Sequence, residues 1–276
     1  MRMIIVNEVD TAELTQIVGE SVSSLPASNL AVYNNSRIWR SLSVDETVLV
    51  GTLENIRLVS SFVIWRHNLT NGGTMRLELF GSPDASGDVI YDTGEIGVAR
   101  QKRWTEWRWQ IEPLVSSDLD DWAIKFSQHW FEPTFCASFR LTIKDPLNLA
   151  EHIDITRLYL GRHFEPLVNF SYGNSWQFAS NEKSFRTDDG SLFSQGAEKW
   201  RQVTFSLDWM NDQDRPDFLS AIRHVGLTRD FYVSLYPEHG GQREIESAMA
   251  CKFTSYPQIN SNFFNNHRAP VTLEEC

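Results

Sequence analysis

The amino-acid sequence predicts a mainly β protein, and three observations predict it. First, apolar and polar residues alternate in several segments, among them residues 75–79 and 139–143. A period of two is the pattern of a strand with one face on a core and the other in water. Second, turn residues at 71–73 and 240–241 separate such segments. Third, one segment alone carries strong helix signals at both ends.

Further strands are predicted at residues 107–111, 203–209 and 231–235, because apolar side chains again occupy every second position there. Each strand is expected to bury one face. Together with the turns, these segments predict antiparallel strands.

The helix is predicted at about residues 215–225. Asp214 can cap its start, Pro216 fits the first turn, and Gly226 suits a left-handed stop. The apolar residues lie on one predicted stripe: Phe218, Leu219, Ile222 and Val225.

Two other segments carry weaker helix signals. Residues 118–125 place Leu119, Trp122 and Ala123 on one face, and residues 10–18 offer only Leu14 and Ile17. Short helices are predicted at both.

The alternation breaks near residues 161–166, where a predicted strand ends before a proline. This break divides the chain into two domains of ordinary size. The prediction is a β-sandwich over residues 1–162 and a smaller β-rich domain with one helix over residues 163–276.

Charge and composition exclude several classes of protein. The 276 residues include 25 Lys plus Arg and 36 Asp plus Glu, a net charge of −11 without any basic run. Nucleic-acid binding needs clustered cations, so no nucleic-acid partner is expected. No apolar run approaches the roughly 18 residues of a membrane helix, and the N-terminus does not resemble a signal peptide. We therefore expect synthesis in a cytoplasm and no membrane insertion.

The three cysteines are Cys136, Cys251 and Cys276, which lie far apart without CxxC spacing. They are expected to be reduced thiols rather than a zinc framework. Ten Trp and 17 Phe are unusually many. Large aromatic residues are typical of β-sandwich cores, protein interfaces and sugar-binding surfaces, and composition does not choose among the three.

The first domain resembles a known family through several short segments in a fixed order. They are residues 25–30, 36–41, 59–70, 75–81, 89–94 and 139–146. In this order they resemble the galactose-binding-like, or discoidin-type, jelly roll. The resemblance implies a jelly-roll β-sandwich that in other proteins binds carbohydrate.

A second resemblance covers the rest of the chain. Residues 153–161 and 164–166 with Asn169, followed by a strand–helix–strand order, are similar to tail and baseplate proteins of tailed bacteriophages. This resemblance implies a distal tail or tail-tip structural protein, a non-enzymatic subunit of a ring at the distal end of the tail tube. It also implies a homo-oligomer, a trimer or hexamer, with tail-tube, hub and tape-measure proteins as partners in the virion.

The segment from Ser261 is the candidate assembly interface. It combines Phe263 and Phe264 with Arg268, residue types that often anchor protein interfaces. The alternative is a terminal strand that closes its own domain, and the sequence favours neither.

The alternative function is a carbohydrate-binding module that recognises host surface glycans. Aromatic rings can stack on sugar rings while polar side chains bind the hydroxyls. The candidates in the predicted jelly-roll loops are Trp39, Trp65, Arg66, His67 and Trp104. The neighbouring Trp107 and Trp109 could join such a surface, but their alternation favours the sandwich core.

No cofactor or metal is expected. Asp118, Asp120 and Asp121 could supply oxygens to calcium, yet three acids in one turn are more typical of a helix start. No histidine pair has metal-ligand spacing, and phosphate-loop and hydrolase motifs are absent. The chain is therefore predicted not to be an enzyme. A hydrolase that acts on polysaccharide is the third hypothesis.

Overall fold

The computed structural model describes residues 1–32, 34, 36–98, 110 and 124–276, with Asn262 described in its backbone alone. The predicted strand at 107–111 and the weak helical segment at 118–125 therefore lie largely or wholly outside the described residues. The chain divides into two compact units. We call Arg2–His163 with Ser234–Ala248 the sandwich unit, and Phe164–Val233 with Met249–Cys276 the C-terminal unit.

Strands dominate both units, which confirms the mainly β prediction. In chain order they are β1 (Arg2–Ile4), β2 (Glu13–Val18), β3 (Trp39–Ser41), β4 (Thr47–His67), β5 (Thr74–Phe80), β6 (Val89–Asp92), β7 (Ile96–Gly97), β8 (Phe126–Lys144), β9 (Ile153–Gly161), β10 (His163–Phe164), β11 (Ser175–Ser180), β12 (Lys183–Arg186), β13 (Leu192–Gln195), β14 (Lys199–Met210), β15 (Phe231–Ser234), β16 (Ala248–Phe253), β17 (Asn260–Phe263) and β18 (Asn266–Glu275). The helices are α1 (Asp214–Val225) and α2 (Gly241–Glu246), with single 3-10 turns at Glu8–Thr11, Ala27–Ala31 and Pro83–Ala85.

Two long antiparallel strands organise the sandwich unit. The strand order is β3-β9-β4-β8-β5-β6, with β2 also paired to β4 and β7 to β5. Residues 47–52 of β4 pair with the second half of β8, while residues 57–65 pair with its first half. The register shifts between Thr52 and Arg57 and again between Val59 and Ser61. Because bulges bend strands, β4 and β8 can contribute to two layers of one sandwich.

Both layers bury their inward faces in one core. The first half of β4 and its neighbours contribute Leu49, Leu77, Leu79, Phe139, Leu141 and Ile143. The second half and its neighbours contribute Trp39, Phe62, Ile64, Ile153, Ile155, Leu158 and Leu160. The alternation predicted at residues 75–79 and 139–143 is confirmed, as is the β-sandwich.

The sandwich unit also contains residues 234–248, whereas the prediction placed all of 163–276 in the second domain. Glu244 of α2 explains the difference. Its carboxylate is buried, and it accepts hydrogen bonds from the side-chain amide of Gln128 on β8 and from the backbone N–H of Gly240 (2.5 Å). A buried carboxylate is stable only with such partners. Local hydrophobic patterns do not predict a contact between residues that are 116 positions apart in the sequence.

The C-terminal unit is a sheet with the strand order β15-β16-β18-β14-β11, and β17 also pairs with β18. Its buried face carries Val203, Phe205, Leu207, Ala269, Val271 and Leu273. Beside them Arg201 and Glu275 form a buried bidentate ion pair at 3.0 and 2.5 Å. Both charges are satisfied across neighbouring strands, which is the arrangement that makes a buried pair tolerable.

The predicted helix is present as α1, with two corrections. The capping oxygen belongs to Asn211, which accepts from the backbone N–H groups of Gln213 (2.9 Å) and Asp214 (2.7 Å), so Asp214 is not the cap. Gly226 ends the helix as predicted, with φ of 62°. Phe218, Ile222 and Val225 are buried, but Leu219 is exposed and Ala221 takes its place. The buried face of α1 is therefore rotated around the helix axis by part of a turn relative to the predicted apolar face.

The weak helix prediction at residues 10–18 is wrong. Glu8–Thr11 forms a 3-10 turn and Glu13–Val18 forms β2, which pairs with β4. The partner of Leu14 in this register is Gly51, whose missing side chain leaves room for its neighbours. A tertiary pairing therefore overrides the local apolar spacing.

Two alternation predictions need correction in the C-terminal unit. Phe231, Tyr232, Val233 and Ser234 are all buried, so β15 buries both faces. Trp209 is exposed, because the register of β14 and β18 shifts between Leu207 and Met210. A bulge inverts the side-chain pattern beyond it.

Gly51 offers a test of the sandwich core. A Cβ atom there would overlap the ring of Phe139 and lie 3.0 Å from Leu14 Cδ2. We expect Gly51→Ala to lower the free energy of unfolding by about 1–3 kcal/mol, because overpacking strains a close-packed core. Denaturant unfolding measures the change. The matched control is Gly97→Ala on β7, where no described atom lies within 4 Å of an added Cβ, and it should change stability by less than about 0.5 kcal/mol. Equal effects at the two positions would contradict the described core.

Candidate functional site

Two chain connections meet at one end of the sandwich, which we call the loop end. Residues 68–73 join β4 to β5, and residues 145–152 join β8 to β9. Both connections run from one layer to the other. Lys125 lies there as well, since its carbonyl accepts from the backbone N–H of His67 (3.3 Å).

Hydrogen bonds from side chains fix the two connections to each other. The Asn68 amide donates to the carbonyl of His152 (2.9 Å), and its oxygen accepts from the backbone N–H of Asp154 (2.8 Å). The buried Asp145 accepts from the backbone N–H of Thr70 (2.7 Å) and from its hydroxyl (2.5 Å). Such contacts replace backbone partners that irregular loops lack. The loop end is therefore a fixed surface.

Four polar residues meet on this surface, and we call them the Arg40 cluster: Arg40, Asn68, His152 and Asp154. Arg40 and Asp154 are direct partners on β3 and β9. Arg40 Nε and Nη2 each donate to a different oxygen of Asp154, both at 2.7 Å. His152 Nε2 lies 3.3 Å from the second of these oxygens. The hydrogen bonds to Asp154 raise the pKa of Arg40, so the guanidinium keeps its charge.

The cluster keeps hydrogen-bonding capacity for a ligand. The side chains are partly open to water, at 33% for Arg40, 26% for His152 and 21% for Asp154. Within the described part of the chain, Arg40 Nη1 and His152 Nδ1 have no hydrogen-bond partner. Leu147 and Leu149 are strongly exposed in the same connection as His152. Donors, a carboxylate and apolar groups therefore stand on one rigid surface.

The predicted sugar-binding aromatics Trp39 and Trp65 are not at the surface. Both are fully buried: Trp39 donates from Nε1 to Gln16 Oε1 (3.1 Å), and Trp65 packs against Phe126 with ring centroids 5.4 Å apart. The expectation that they are exposed is wrong. On β3 the outward position belongs to the next residue, Arg40.

Arg66 and His67 do lie at the loop end, but neither side chain joins the cluster in the described structure. Arg66 has a left-handed backbone, with φ of 51°. His67 Nε2 is hydrogen-bonded to Ser127 Oγ (3.0 Å). Burial, with the nearby charge of Lys125, lowers the pKa of His67 to about 3. Its neutral ring therefore supports the loop end.

Several of the predicted site residues fall in the part of the chain that the structure does not describe. Trp104 and the possible calcium ligands Asp118, Asp120 and Asp121 lie outside the described residues and stay predictions. Nowhere in the described ranges do three or more His, Cys, Asp or Glu side chains gather as metal ligands would. The described helices also include none that is long and apolar enough to cross a membrane.

The candidate interface residues lie on the β17–β18 hairpin. Phe263 and Phe264 are exposed near its tip, and Arg268 Nε lies 2.8 Å from Asp208 Oδ1. β18 is hydrogen-bonded to strands on both sides, so the segment does close its own unit. Its role in assembly stays a prediction.

Sequence analysis missed all four residues of the Arg40 cluster. Alternation at 39–41 and 153–155 does place Arg40 and Asp154 outward, between buried neighbours. Nothing in the sequence showed that these two short segments are paired. Arg66 and His67, which the sequence analysis named as candidates, do lie beside the cluster, but the side chain of Asn68 makes the contacts that hold the loop after Trp65 to the second connection.

No protein-family model and no curated protein matches the sequence. Solved structures do match in part. The family 32 carbohydrate-binding module of Clostridium perfringens NanJ, in complex with galactose, is 14% identical, with 59% of this chain and 99% of that chain covered and a TM-score of 0.37. The lectin domain of lectinolysin, in complex with Lewis B antigen, is 7% identical over 56% and 96%, with a TM-score of 0.37.

A Ruminococcus gnavus family 29 fucosidase, in complex with fucose, is 8% identical. The match covers 58% of this chain and 27% of that chain, with a TM-score of 0.39. These proteins are what the chain is similar to, at low identity and over part of its length.

The partly buried His67 predicts a pH dependence. Its folded pKa lies below the unfolded value, so the stability it supports is present above about pH 6.5 and is lost as the pH falls toward 3. His67→Gln should reduce the slope of unfolding free energy against pH in this window, by up to about 1.4 kcal/mol per pH unit. Denaturant unfolding at several pH values measures the slope. His224→Gln is the control: partial burial and the charge of Arg229 also lower the pKa of His224, but less, so this variant should change the slope less than His67→Gln does. An unchanged slope in His67→Gln would contradict the neutral His67 ring.

Proposed function

We propose that the sandwich unit is a carbohydrate-binding module that recognises surface glycans of a host through the Arg40 cluster. The observation that carries the proposal is a carboxylate, a guanidinium and an imidazole that converge on a fixed loop surface with hydrogen-bonding capacity to spare. Neighbouring hydroxyls of a sugar need donors and acceptors at short, fixed spacing. The cluster offers both.

Rigidity supports the proposal. Asn68 and Asp145 already hold the two connections in place, so a ligand would not have to order them. A binding surface that is ordered in advance loses less conformational entropy on binding. A weak complex between a sugar and a shallow protein surface depends on this smaller loss of conformational entropy.

Charge indicates the class of sugar. Arg40 and Asp154 neutralise each other, and the whole chain has a net charge of −11. A neutral pair with spare donors and acceptors suits hydroxyl groups, whereas a negative chain repels anionic glycans. We therefore propose neutral sugars as the ligand class, with Leu147 and Leu149 beside their apolar faces.

Binding without cleavage fits the cluster. Most glycosidases place two carboxyl groups about 5–10 Å apart across the scissile bond. The Arg40 cluster has one carboxylate, and it is already engaged by Arg40. This favours a module that binds and does not catalyse.

Arg40→Met tests the proposal. It removes the donors but keeps most of the apolar stem, so we expect affinity for the glycan selected on an array of neutral and anionic sugars to fall by about tenfold or more. Calorimetry on the full chain measures the affinity. Asp154→Asn should weaken binding similarly, because the amide no longer pairs with the guanidinium.

The matched control is Arg57→Met, which removes the ion pair between the exposed Arg57 and the partly buried Glu8 (3.2 Å) within the same unit. It should bind as the parent does. The proposal fails if no neutral glycan on the array binds, or if the two cluster variants bind as tightly as the control.

A second candidate function is a structural subunit of a bacteriophage tail tip or baseplate in the virion. The exposed Phe263 and Phe264 favour it, because adjacent exposed aromatic side chains are typical of protein interfaces. Tail-tube, hub or tape-measure proteins would then be the partners.

Phe263→Ser with Phe264→Ser tests this second function. If the two rings contact a neighbouring tail protein, the double variant should be lost from purified virions while the soluble protein remains folded. Immunoblots of virions and of host extract measure the distribution. Normal incorporation of the variant would count against the interface, and a parent protein missing from virions would exclude the tail function.

A further inference from the structure

The C-terminal unit brings a serine, a histidine and an aspartate into one line of hydrogen bonds. Ser261 Oγ lies 2.8 Å from His267 Nδ1, and His267 Nε2 lies 2.8 Å from Asp212 Oδ1. We call these three residues the His267 triad. A hydroxyl, an imidazole and a carboxylate in this order are the arrangement that activates a serine for attack on a carbonyl carbon.

The fold brings the triad together from two separate segments. Ser261 on β17 and His267 on β18 are direct cross-strand partners. Asp212 lies between β14 and α1, and its backbone N–H donates to the side-chain oxygen of Asn265 in the turn of the hairpin (2.8 Å). This hydrogen bond holds the segment of the carboxylate against the hairpin. No sequence motif indicates the triad, because strand register and a tertiary contact, rather than a fixed spacing, join its members.

The partners of the imidazole determine which of its nitrogens carries the proton. The neutral ring has one N–H, and a carboxylate can only accept a hydrogen bond. The N–H therefore lies on Nε2, where it donates to Asp212, and Nδ1 accepts from the hydroxyl of Ser261. The His267 side chain is only 7% exposed, so its surroundings hold the ring in this orientation. His267 is thus placed to act as a general base toward Ser261.

The serine, unlike the histidine, is open to solvent. Ser261 is exposed, so the carbonyl group of a substrate can reach its Oγ. The register of β17 and β18 shifts between Ser261 and Phe263, and Asn262 has no partner in the described register. The extra residue of a bulge is left unpaired, and β17 pairs with β18 alone among the described strands. The backbone N–H of Asn262 is therefore available to an oxyanion next to Ser261.

We propose that the His267 triad hydrolyses carboxylic esters. Ser261 Oγ attacks the carbonyl carbon while its proton passes to His267 Nδ1. The C–O bond to the leaving alcohol then breaks, the alcohol takes that proton, and the acyl group stays on Ser261. Water, activated by His267 in the same way, releases the carboxylic acid and restores the serine. Asp212 is a positioning residue that orients the ring and stabilises the imidazolium.

The surroundings of the serine indicate an ester with a small acyl group. Asn260 and Phe263, which flank the site on β17, are exposed as well. The described residues therefore place Ser261 on an open surface rather than in a cavity that would bury a long acyl chain. This activity goes beyond glycan binding by the sandwich unit, and it departs from the prediction that the chain is not an enzyme.

A fluorophosphonate probe and 4-nitrophenyl acetate test the proposal on the full chain. The probe reacts with activated serines, and peptide mass spectrometry locates the label. We expect the parent to carry the label on Ser261 and to release 4-nitrophenol faster than buffer does. Ser261→Ala should lose the label, and its rate of hydrolysis should fall by about a hundredfold or more. His267→Gln should lose both activities as well.

Ser255→Ala is the matched control, because Ser255 is an exposed serine of the same unit outside the triad. It should keep the label on Ser261 and the rate of the parent. Circular dichroism and thermal unfolding show whether each variant is folded. A folded parent that takes no label on Ser261, or a folded Ser261→Ala variant that hydrolyses the ester as fast as Ser255→Ala, would overturn the proposal.

Asp212→Asn separates positioning from substrate binding. It should lower kcat by about a hundredfold or more and leave KM unchanged, because Asp212 contacts the imidazole rather than the ester. Asp212→Glu keeps a carboxylate and should recover part of the rate. An unchanged kcat in Asp212→Asn would overturn the role of Asp212. Arg40→Met should hydrolyse the ester as the parent does, so a failure of glycan binding and a failure of ester hydrolysis are distinguishable.

Discussion

The pairing of β4 with β8 is the constraint on which the sandwich depends. The two strands stay hydrogen-bonded almost from end to end, yet they supply both layers. A flat pair of this length would expose one face to water, so the register shifts after Thr52 and after Val59 are what allow the inward faces to meet. Gly51 lies just before the first shift, where a side chain would overlap Phe139. The buried core, the bend in β4 and β8, and the glycine at position 51 therefore depend on one another.

The same pairing fixes the chemistry at the loop end. Since β4 and β8 pass between layers, the connections that follow them must cross the end of the sandwich. A crossing loop has few backbone partners, and Asn68 and Asp145 supply them from side chains. Arg40 and Asp154 reach the same end because β3 pairs with β9. The polar surface is thus a consequence of topology, assembled from residues more than a hundred positions apart.

Local pattern was sufficient where a residue's environment follows from its neighbours in sequence. Residues 75–79 and 139–143 alternate on a regular face, and α1 ends where Gly226 permits. Pattern failed where tertiary contacts decide the environment. Leu14 lies on a strand because β4 pairs with it, and Trp209 is exposed because a bulge shifts the register. The candidate site belongs to the second kind, since no local signal links Arg40 to Asp154.

The abundance of Trp and Phe is a second case in which the sequence alone does not determine the environment of a residue. Composition allowed core, interface and sugar surface equally, and the structure separates the core aromatic residues from the exposed ones by position. Trp39 and Trp65 are core, because inward positions on β3 and β4 leave no room for water. The aromatic side chains of residues 175–199 are exposed, because among the described residues none forms a second layer over the strands that carry them. In water this arrangement forgoes the burial that normally stabilises aromatic side chains, about 25 cal/mol per Å2 of apolar surface. The four aromatic side chains of this segment, Trp176, Phe178, Phe185 and Phe193, therefore contribute less of this stabilisation to the described fold than Trp39 and Trp65 do.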